Sequence, residues 1–189
     1  METIIKRELI SDKRLCRLLG VGVFVILTTL SAFVRVPLPF TPVPLTLQTF
    51  FVLLSGALLG RKLGATSQAA YMLLGLSGQQ VFTGIGCGSL YLLGPTGGYI
   101  VGFVLASFVA GSLLAQENPS WLVVFIKLLA ADFIILFSGM LWLKISLAIP
   151  FAKAFLLGFL PFVLGDILKV ILATVVYNKM RGRIKAAID

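Results

Sequence analysis

The sequence contains no histidine among its 189 residues. Without imidazole the chain lacks the commonest general base and a principal zinc ligand, so we expect neither imidazole-based catalysis nor a metal site. It has two cysteines, Cys16 before the first apolar stretch and Cys87 in a glycine-rich one. They lie near opposite membrane faces in the expected topology, so we expect no disulfide between them. One pair without CxxC spacing gives no information about redox chemistry.

Charged residues are also scarce, at 12% of the chain against 59% hydrophobic residues. A soluble domain has about 25% charged residues, so this composition indicates a polytopic membrane protein. The net charge of +9 does not indicate nucleic-acid binding, because the basic residues flank apolar segments instead of forming a surface stripe. The sequence has no GxxxxGK[ST] or GxSxG motif, and no dinucleotide fingerprint. We therefore expect no ATP hydrolysis by this chain and no enzyme activity.

What the sequence does contain is a series of apolar stretches, several of which reach or approach the roughly 20 residues that cross a bilayer. They predict an all-α membrane protein that forms a single domain over residues 1–189. The six expected transmembrane helices lie at about 16–35, 46–60, 63–76, 97–115, 120–143 and 155–178.

The distribution of lysine and arginine predicts the orientation. Residues 1–17 hold five of them, positions 61–62 two and the C-terminal tail four, which together make 11 of the 16 in the chain. By the positive-inside rule both termini are cytoplasmic, and residues 1–15 and 179–189 form cytoplasmic segments. The other loops then meet at the outer face, where we expect an outward-facing pocket.

Two of these outer loops have unusual compositions. Residues 35–48 contain four prolines, which predict a rigid extended connector. Residues 77–98 contain seven glycines and lie within an uncharged run at 63–116. Irregular backbone at membrane depth is tolerated only where it is buried in protein or lines a cavity, so we expect this glycine loop (77–98) to cap or line a site.

Charged residues inside the expected helices are candidates for function, because they are costly in a membrane. Asp166 and Lys169 are three positions apart and share a helical face, which suits a ligand with N–H donors and a carboxylate. The alternative is a structural salt bridge. Lys127 is placed to snorkel to the cytoplasmic surface, and Asp132 is left without an assigned role. Gln48, at the start of the second helix, offers a donor and an acceptor together.

Several motifs together resemble one family. They are TPVPLTLQTF at 41–50, LSGALLG at 54–60, GPTGGY at 94–99 and GDILK at 165–169. In this order they are similar to the BioY family, the biotin-binding S components of energy-coupling factor (ECF) vitamin transporters, over about 36–169. The resemblance implies a bundle of six transmembrane helices, like other ECF S components, with a capping outer loop.

The resemblance also implies a binding site for biotin on the outer side. Its residues are expected to be Gln48, Phe82, Gly86, Tyr99, Asp166 and Lys169. Asp166 would accept the ureido N–H groups, Lys169 would contribute to anion or carbonyl binding, and Gln48 would bond the ureido ring. Phe82 and Tyr99 would pack against the apolar part of biotin. Some family members have a polar residue near Gly86 and an arginine where this chain has Ile100, so the carboxylate has fewer cationic partners here.

The implied partners are biotin, membrane lipid, a transmembrane coupling subunit and a pair of cytoplasmic ATPases, without cofactor, metal or nucleic acid. The small residues Thr28 and Ala32 of the first helix are the expected docking face for the coupling subunit. The expected location is a bacterial-type cell (inner) membrane. Two other functions remain open from the sequence, an S component for another small vitamin and a stand-alone secondary transporter.

Overall fold

Helices make up most of the chain. The computed structural model describes residues 13–115 and 119–188, with only the backbone at 185–188. Its α-helices are α1 (Lys13–Phe33), α2 (Gln48–Leu76), α3 (Gly88–Leu93), α4 (Gly97–Leu113), α5 (Trp121–Ser146), α6 (Phe151–Gly158) and α7 (Val163–Ile188). Two short strands, β1 (Arg35–Val36) and β2 (Leu45–Thr46), pair antiparallel, and a 3₁₀ turn covers Leu160–Phe162.

Three helical segments are long and apolar enough to cross a membrane: α1, α5 and the stretch Phe151–Ile184 that contains α6 and most of α7. The apolar helix α4 is shorter. The structure thus confirms an all-α membrane protein. The predicted cytoplasmic segment at 1–15 lies mostly outside the described residues, and α7 continues as a helix through most of the predicted tail at 179–189.

The helix α2 combines the second and third expected helices. Gly60 adopts a non-helical conformation at φ 81° and ψ 173°, where the sequence placed the boundary. The halves at 48–59 and 61–76 pack side by side, because a Cβ built on Gly64 would lie 2.6 Å from the Cα of Gly56. Only a residue without a side chain allows this approach. In the GxxxG pair, Gly56 therefore permits the close packing and Gly60 permits the break in the helix.

Near the contact between the two halves of α2, a layer of buried polar side chains joins α1, both halves of α2 and α4. The amide of Gln68 donates to the hydroxyl oxygens of Ser55 at 3.0 Å and Thr28 at 3.3 Å. The hydroxyls of Ser55 and Ser107 lie 2.9 Å apart. Hydrogen bonds of this kind hold helices together where no water is available to replace them.

The last expected helix, 155–178, is broken in the structure. The α-helical conformation ends at Gly158 and resumes at Val163 after the 3₁₀ turn that contains Pro161. Proline lacks a backbone N–H and favours the first turn of a helix, which explains the restart. Asp166 consequently lies in the first turn of α7, where the positive end of the helix dipole favours a carboxylate.

The outer loops cover one end of the bundle. The proline-containing connector is not simply extended, since its ends pair as β1 and β2, with Arg35 opposite Thr46. The glycine loop folds back on itself through paired backbone hydrogen bonds between Phe82 and Gly86, and continues into α3. The indole of Trp142 on α5 donates to the carbonyl of Gly94 at 2.9 Å, which fixes the end of this loop on the bundle.

Candidate ligand-binding site

A cavity opens beneath these two loops, with about 520 Å³ of empty space including its open mouth. Residues 43–46 of the hairpin, both halves of α2, the glycine loop, α4, α5, the 3₁₀ turn and α7 all contribute to its walls. The predicted pocket between the outer loops and the helices is therefore present.

One end of the cavity carries an ion pair. The ammonium of Lys169 donates to Oδ1 of Asp166 at 2.7 Å, and both side chains line the cavity. Thr49 bridges them, because its hydroxyl donates to Oδ1 of Asp166 at 3.1 Å and accepts from Lys169 at 3.1 Å. Asp166 is 2% exposed and Lys169 is 9% exposed. The pair is neutral as a whole and is held rigidly at the wall.

This arrangement leaves hydrogen-bonding capacity for a ligand. An ammonium has three N–H donors, and Lys169 uses two of them on Thr49 and Asp166. Both protein hydrogen bonds to Asp166 end on Oδ1, so within the described residues Oδ2 has no side-chain partner. A ligand at this end of the cavity can therefore receive one N–H donor from Lys169 and donate to a carboxylate oxygen.

A second polar group is the amide of Gln48, which is also buried at the cavity wall. Its Nε2 donates to the hydroxyl of Tyr71 at 2.7 Å, and its Oε1 accepts from Thr83 at 3.1 Å and from Thr46 at 3.3 Å. Tyr71 in turn donates to the carbonyl of Val81 at 3.1 Å. These contacts fix which end of the amide faces each neighbour and connect α2 to both outer loops.

The remaining walls are mostly apolar and aromatic. Tyr99 and Phe162 face each other with ring centroids 6.1 Å apart, and the Tyr99 hydroxyl donates to the carbonyl of Gly158. Tyr91 lines the cavity from the glycine loop and donates to the carbonyl of Thr83 at 2.9 Å. Ile100, Phe103 and Leu136 complete this surface. The site thus combines a polar end with an apolar wall.

The structure places four of the six predicted site residues, Gln48, Tyr99, Asp166 and Lys169, at the cavity wall. Phe82 and Gly86 do not line the cavity, and their part in binding stays a prediction. Phe82 is fully buried and stacks on Tyr91 with centroids 5.0 Å apart. A Cβ on Gly86 would lie 2.1 Å from the Tyr91 ring, so this glycine makes room for the ring.

The predicted docking residues face inward. Thr28 and Ala32 on α1 are both completely buried within the chain, and Thr28 contacts Gln68 in the polar layer. Small side chains at this spacing let α1 approach α2, which is contact within the chain. They cannot form a docking surface in this conformation. Beyond its basic first turns, the exposed side chains of α1 include large apolar ones such as Leu19, Ile26 and Leu30.

Sequence reasoning missed several cavity residues. Thr49 and Thr83 give no signal, because a lone threonine is unremarkable in an apolar helix or loop. Tyr71 was visible as a polar side chain in a short apolar helix, but its partner is distant in the sequence. Asp132, which had no assigned role, is 2% exposed, and within the described residues its Oδ1 has no hydrogen-bond partner.

The fold and this cavity define a membrane protein that binds a small molecule. A sequence model of the BioY family matches residues 6–186, and the chain belongs to this family. It is 42% identical over 162 residues to a probable biotin transporter BioY of Pyrococcus horikoshii, covering 86% of this chain and 94% of the relative. It is 38% identical over 165 residues to the biotin transporter BioY of Thermotoga maritima, with coverage of 87% and 95%.

The fold is also similar to a crystal structure of the S-component for biotin from an ECF-type ABC transporter. The TM-score is 0.84 at 29% identity, and the similarity covers 90% of this chain and 93% of the other. This agreement confirms the expected S-component architecture. The relatives are named as transporters and not as enzymes.

Proposed function

We propose that this chain captures biotin with high affinity at the outer face of a cell membrane, as the S component of an ECF-type ABC transporter. The observation that carries the proposal is the cavity with the Asp166–Lys169 pair and Gln48 at a polar end and aromatic side chains on its wall. Biotin has the same division, a polar ureido ring joined to an apolar thioether ring and chain. The names of the relatives support the same ligand.

In this proposal the ureido ring lies at the polar end of the cavity. Oδ2 of Asp166 accepts a ureido N–H, and the remaining N–H of Lys169 donates to the ureido carbonyl. Gln48 is close enough to the same wall to bond the ring, and its orientation is set by Tyr71 and Thr83. Tyr99 packs against the apolar part of the ligand. The ureido ring and the ion pair are each neutral overall, so binding leaves no uncompensated charge in the membrane.

Transport requires partners, since the sequence has no phosphate-binding loop for ATP. We propose a transmembrane coupling subunit and a pair of cytoplasmic ATPases. The excess of basic residues in the segments 1–17, 61–62 and 179–189 supports cytoplasmic termini, which places the cavity mouth outside the cell. In this proposal residues 1–189 form one integral-membrane domain.

The test is calorimetric titration of biotin into the purified, detergent-solubilised chain, with thiamine and riboflavin titrated in parallel. We expect tight, one-to-one binding of biotin and none of the other two vitamins. Binding of another vitamin instead would show that the cavity serves a different ligand. Biotin uptake into liposomes that contain this chain alone would contradict the need for ATPases.

A further inference from the structure

Arg35 lies where the proline-containing connector meets the glycine loop, two segments that both contribute to the cavity wall. Arg35 begins β1 and is directly opposite Thr46 in β2. Directly opposed residues of an antiparallel pair project their side chains from the same face, with Cβ atoms about 5 Å apart. Thr46 lines the cavity and its hydroxyl donates to Gln48. The Arg35 side chain therefore projects from the same face of the hairpin as that of Thr46.

The charged end of Arg35 reaches the glycine loop. A Cβ built on Gly84 would lie 2.7 Å from Nη1 of Arg35, so the guanidinium rests against a position that only glycine leaves open. Gly84 also has φ 76°, a conformation that favours glycine. Its neighbour Thr83 lines the cavity. The guanidinium is thus one residue away from the cavity wall, between the hairpin and the glycine loop.

This guanidinium has no counter-ion among the described residues. Within residues 13–115 and 119–188, Arg35 makes no side-chain hydrogen bond or salt bridge, and its side chain is exposed. The outer loops at 34–47, 77–96 and 147–162 contain no aspartate or glutamate. In the cavity wall, the charge of Lys169 is already balanced by Asp166. Arg35 therefore provides a positive charge next to the cavity that no acidic residue of these loops balances.

We propose that Arg35 binds the carboxylate of the ligand and so sets the preference for ligands with a neutral polar ring and an acidic tail. The proposal rests on the proposed function and adds an orientation to it, with the ring at Asp166 and Lys169 and the carboxylate at the mouth. A guanidinium can hold a carboxylate through two parallel hydrogen bonds. The carboxylate also stays in contact with water there, which avoids the cost of burying it.

The experiment compares biotin with biotinamide, in which an uncharged carboxamide replaces the carboxylate. Dissociation constants of both ligands are measured for the wild-type chain, Arg35→Ala and Arg35→Lys. Lys153→Ala is the matched control, because Lys153 is an exposed cation that does not line the cavity. We expect Arg35→Ala to weaken biotin binding about tenfold and to leave biotinamide binding unchanged. Arg35→Lys should recover part of the loss, and Lys153→Ala should change neither ligand.

Added salt gives an independent readout, since it should weaken biotin binding to the wild-type chain and have little effect in Arg35→Ala. Equal weakening of both ligands by Arg35→Ala would assign Arg35 a purely structural role and overturn the proposal. Unchanged biotin binding would overturn it as well. If the wild-type chain bound neither ligand, the proposed function itself would fail. That outcome is distinguishable from failure of the Arg35 proposal, because it is measured on the wild-type chain alone.

Discussion

The ammonium of Lys169 lies 2.7 Å from the carboxylate of Asp166, one helical turn away on α7, inside the cavity wall. Pro161 lies in the 3₁₀ turn that interrupts the helix, and Asp166 lies in the first turn of α7 directly after it. The helix break and the ion pair therefore come from one short stretch of sequence. The consequence is a neutral but strongly polar patch in the cavity wall.

The role of this pair can be separated from its contribution to stability. Asp166→Asn or Lys169→Met alone leaves one buried charge without its partner, and we expect each to lower the free energy of unfolding by about 3 kcal/mol. The double variant removes both charges and should recover most of that loss. Its affinity for biotin should nevertheless be at least about 100-fold lower, because two charge-assisted hydrogen bonds are missing.

Thermal stability and calorimetric titration of the three variants provide the measurement. If the double variant bound biotin as tightly as the wild-type chain, the pair would be a structural salt bridge, the alternative that the sequence left open.

Tyr71→Phe tests the orientation of Gln48. The substitution removes the hydroxyl that accepts from Gln48 Nε2 and donates to the carbonyl of Val81. We expect about tenfold weaker biotin binding and a loss of about 1 kcal/mol in stability. Tyr177→Phe is the control, since Tyr177 is buried away from the cavity. Equal affinities of the two variants would mean that the Tyr71 hydroxyl has no part in binding.

Gly86→Ala tests the support of the glycine loop. Its new methyl group would overlap the Tyr91 ring, which would have to leave its place against Phe82. We expect labelled biotin to dissociate about tenfold faster, because the loop over the cavity is displaced. Gly22→Ala is the matched control, since a Cβ there has no neighbour within 4 Å. An unchanged dissociation rate for Gly86→Ala would contradict the capping role of this loop.

Ala32→Trp separates a docking residue from a packing residue. Ala32 is completely buried, so tryptophan has no space there, and we expect a loss of about 3 kcal/mol in stability together with weaker biotin binding. Ile26→Trp on the exposed face of the same helix should leave both unchanged. Normal stability and biotin binding of Ala32→Trp would restore the expectation that the Thr28 and Ala32 face is free for a partner.

Much of the fold could be predicted from local features of the sequence. The break at Gly60, the helices and the irregular structure of both unusual loops follow from glycine, proline and apolar length. The turn at 159–162 is not visible in apolar length, because the sequence on both sides of Pro161 remains apolar, and Pro161 itself is its local signal. The pairing of Arg35 with Thr46 depends on tertiary closure that composition does not encode.

In the site, the charged residues could be predicted from the sequence, whereas the side chains that hydrogen-bond to them could not. Asp166 and Lys169 are conspicuous because charges inside apolar helices are costly. Thr49 gains its role only from a neighbour more than a hundred positions away in the sequence. Phe82, which the resemblance implied as a ligand contact, is fully buried and stacks on Tyr91. The direction in which a side chain points from an irregular backbone cannot be read from residue type.

The most direct test of the account is an experimental structure of the chain with biotin bound. The account predicts the ureido ring within about 3 Å of Asp166 Oδ2 and Lys169 Nζ, and the carboxylate at the mouth beside Arg35. Biotin bound outside this cavity, or bound in reverse with its carboxylate on Lys169, would contradict it.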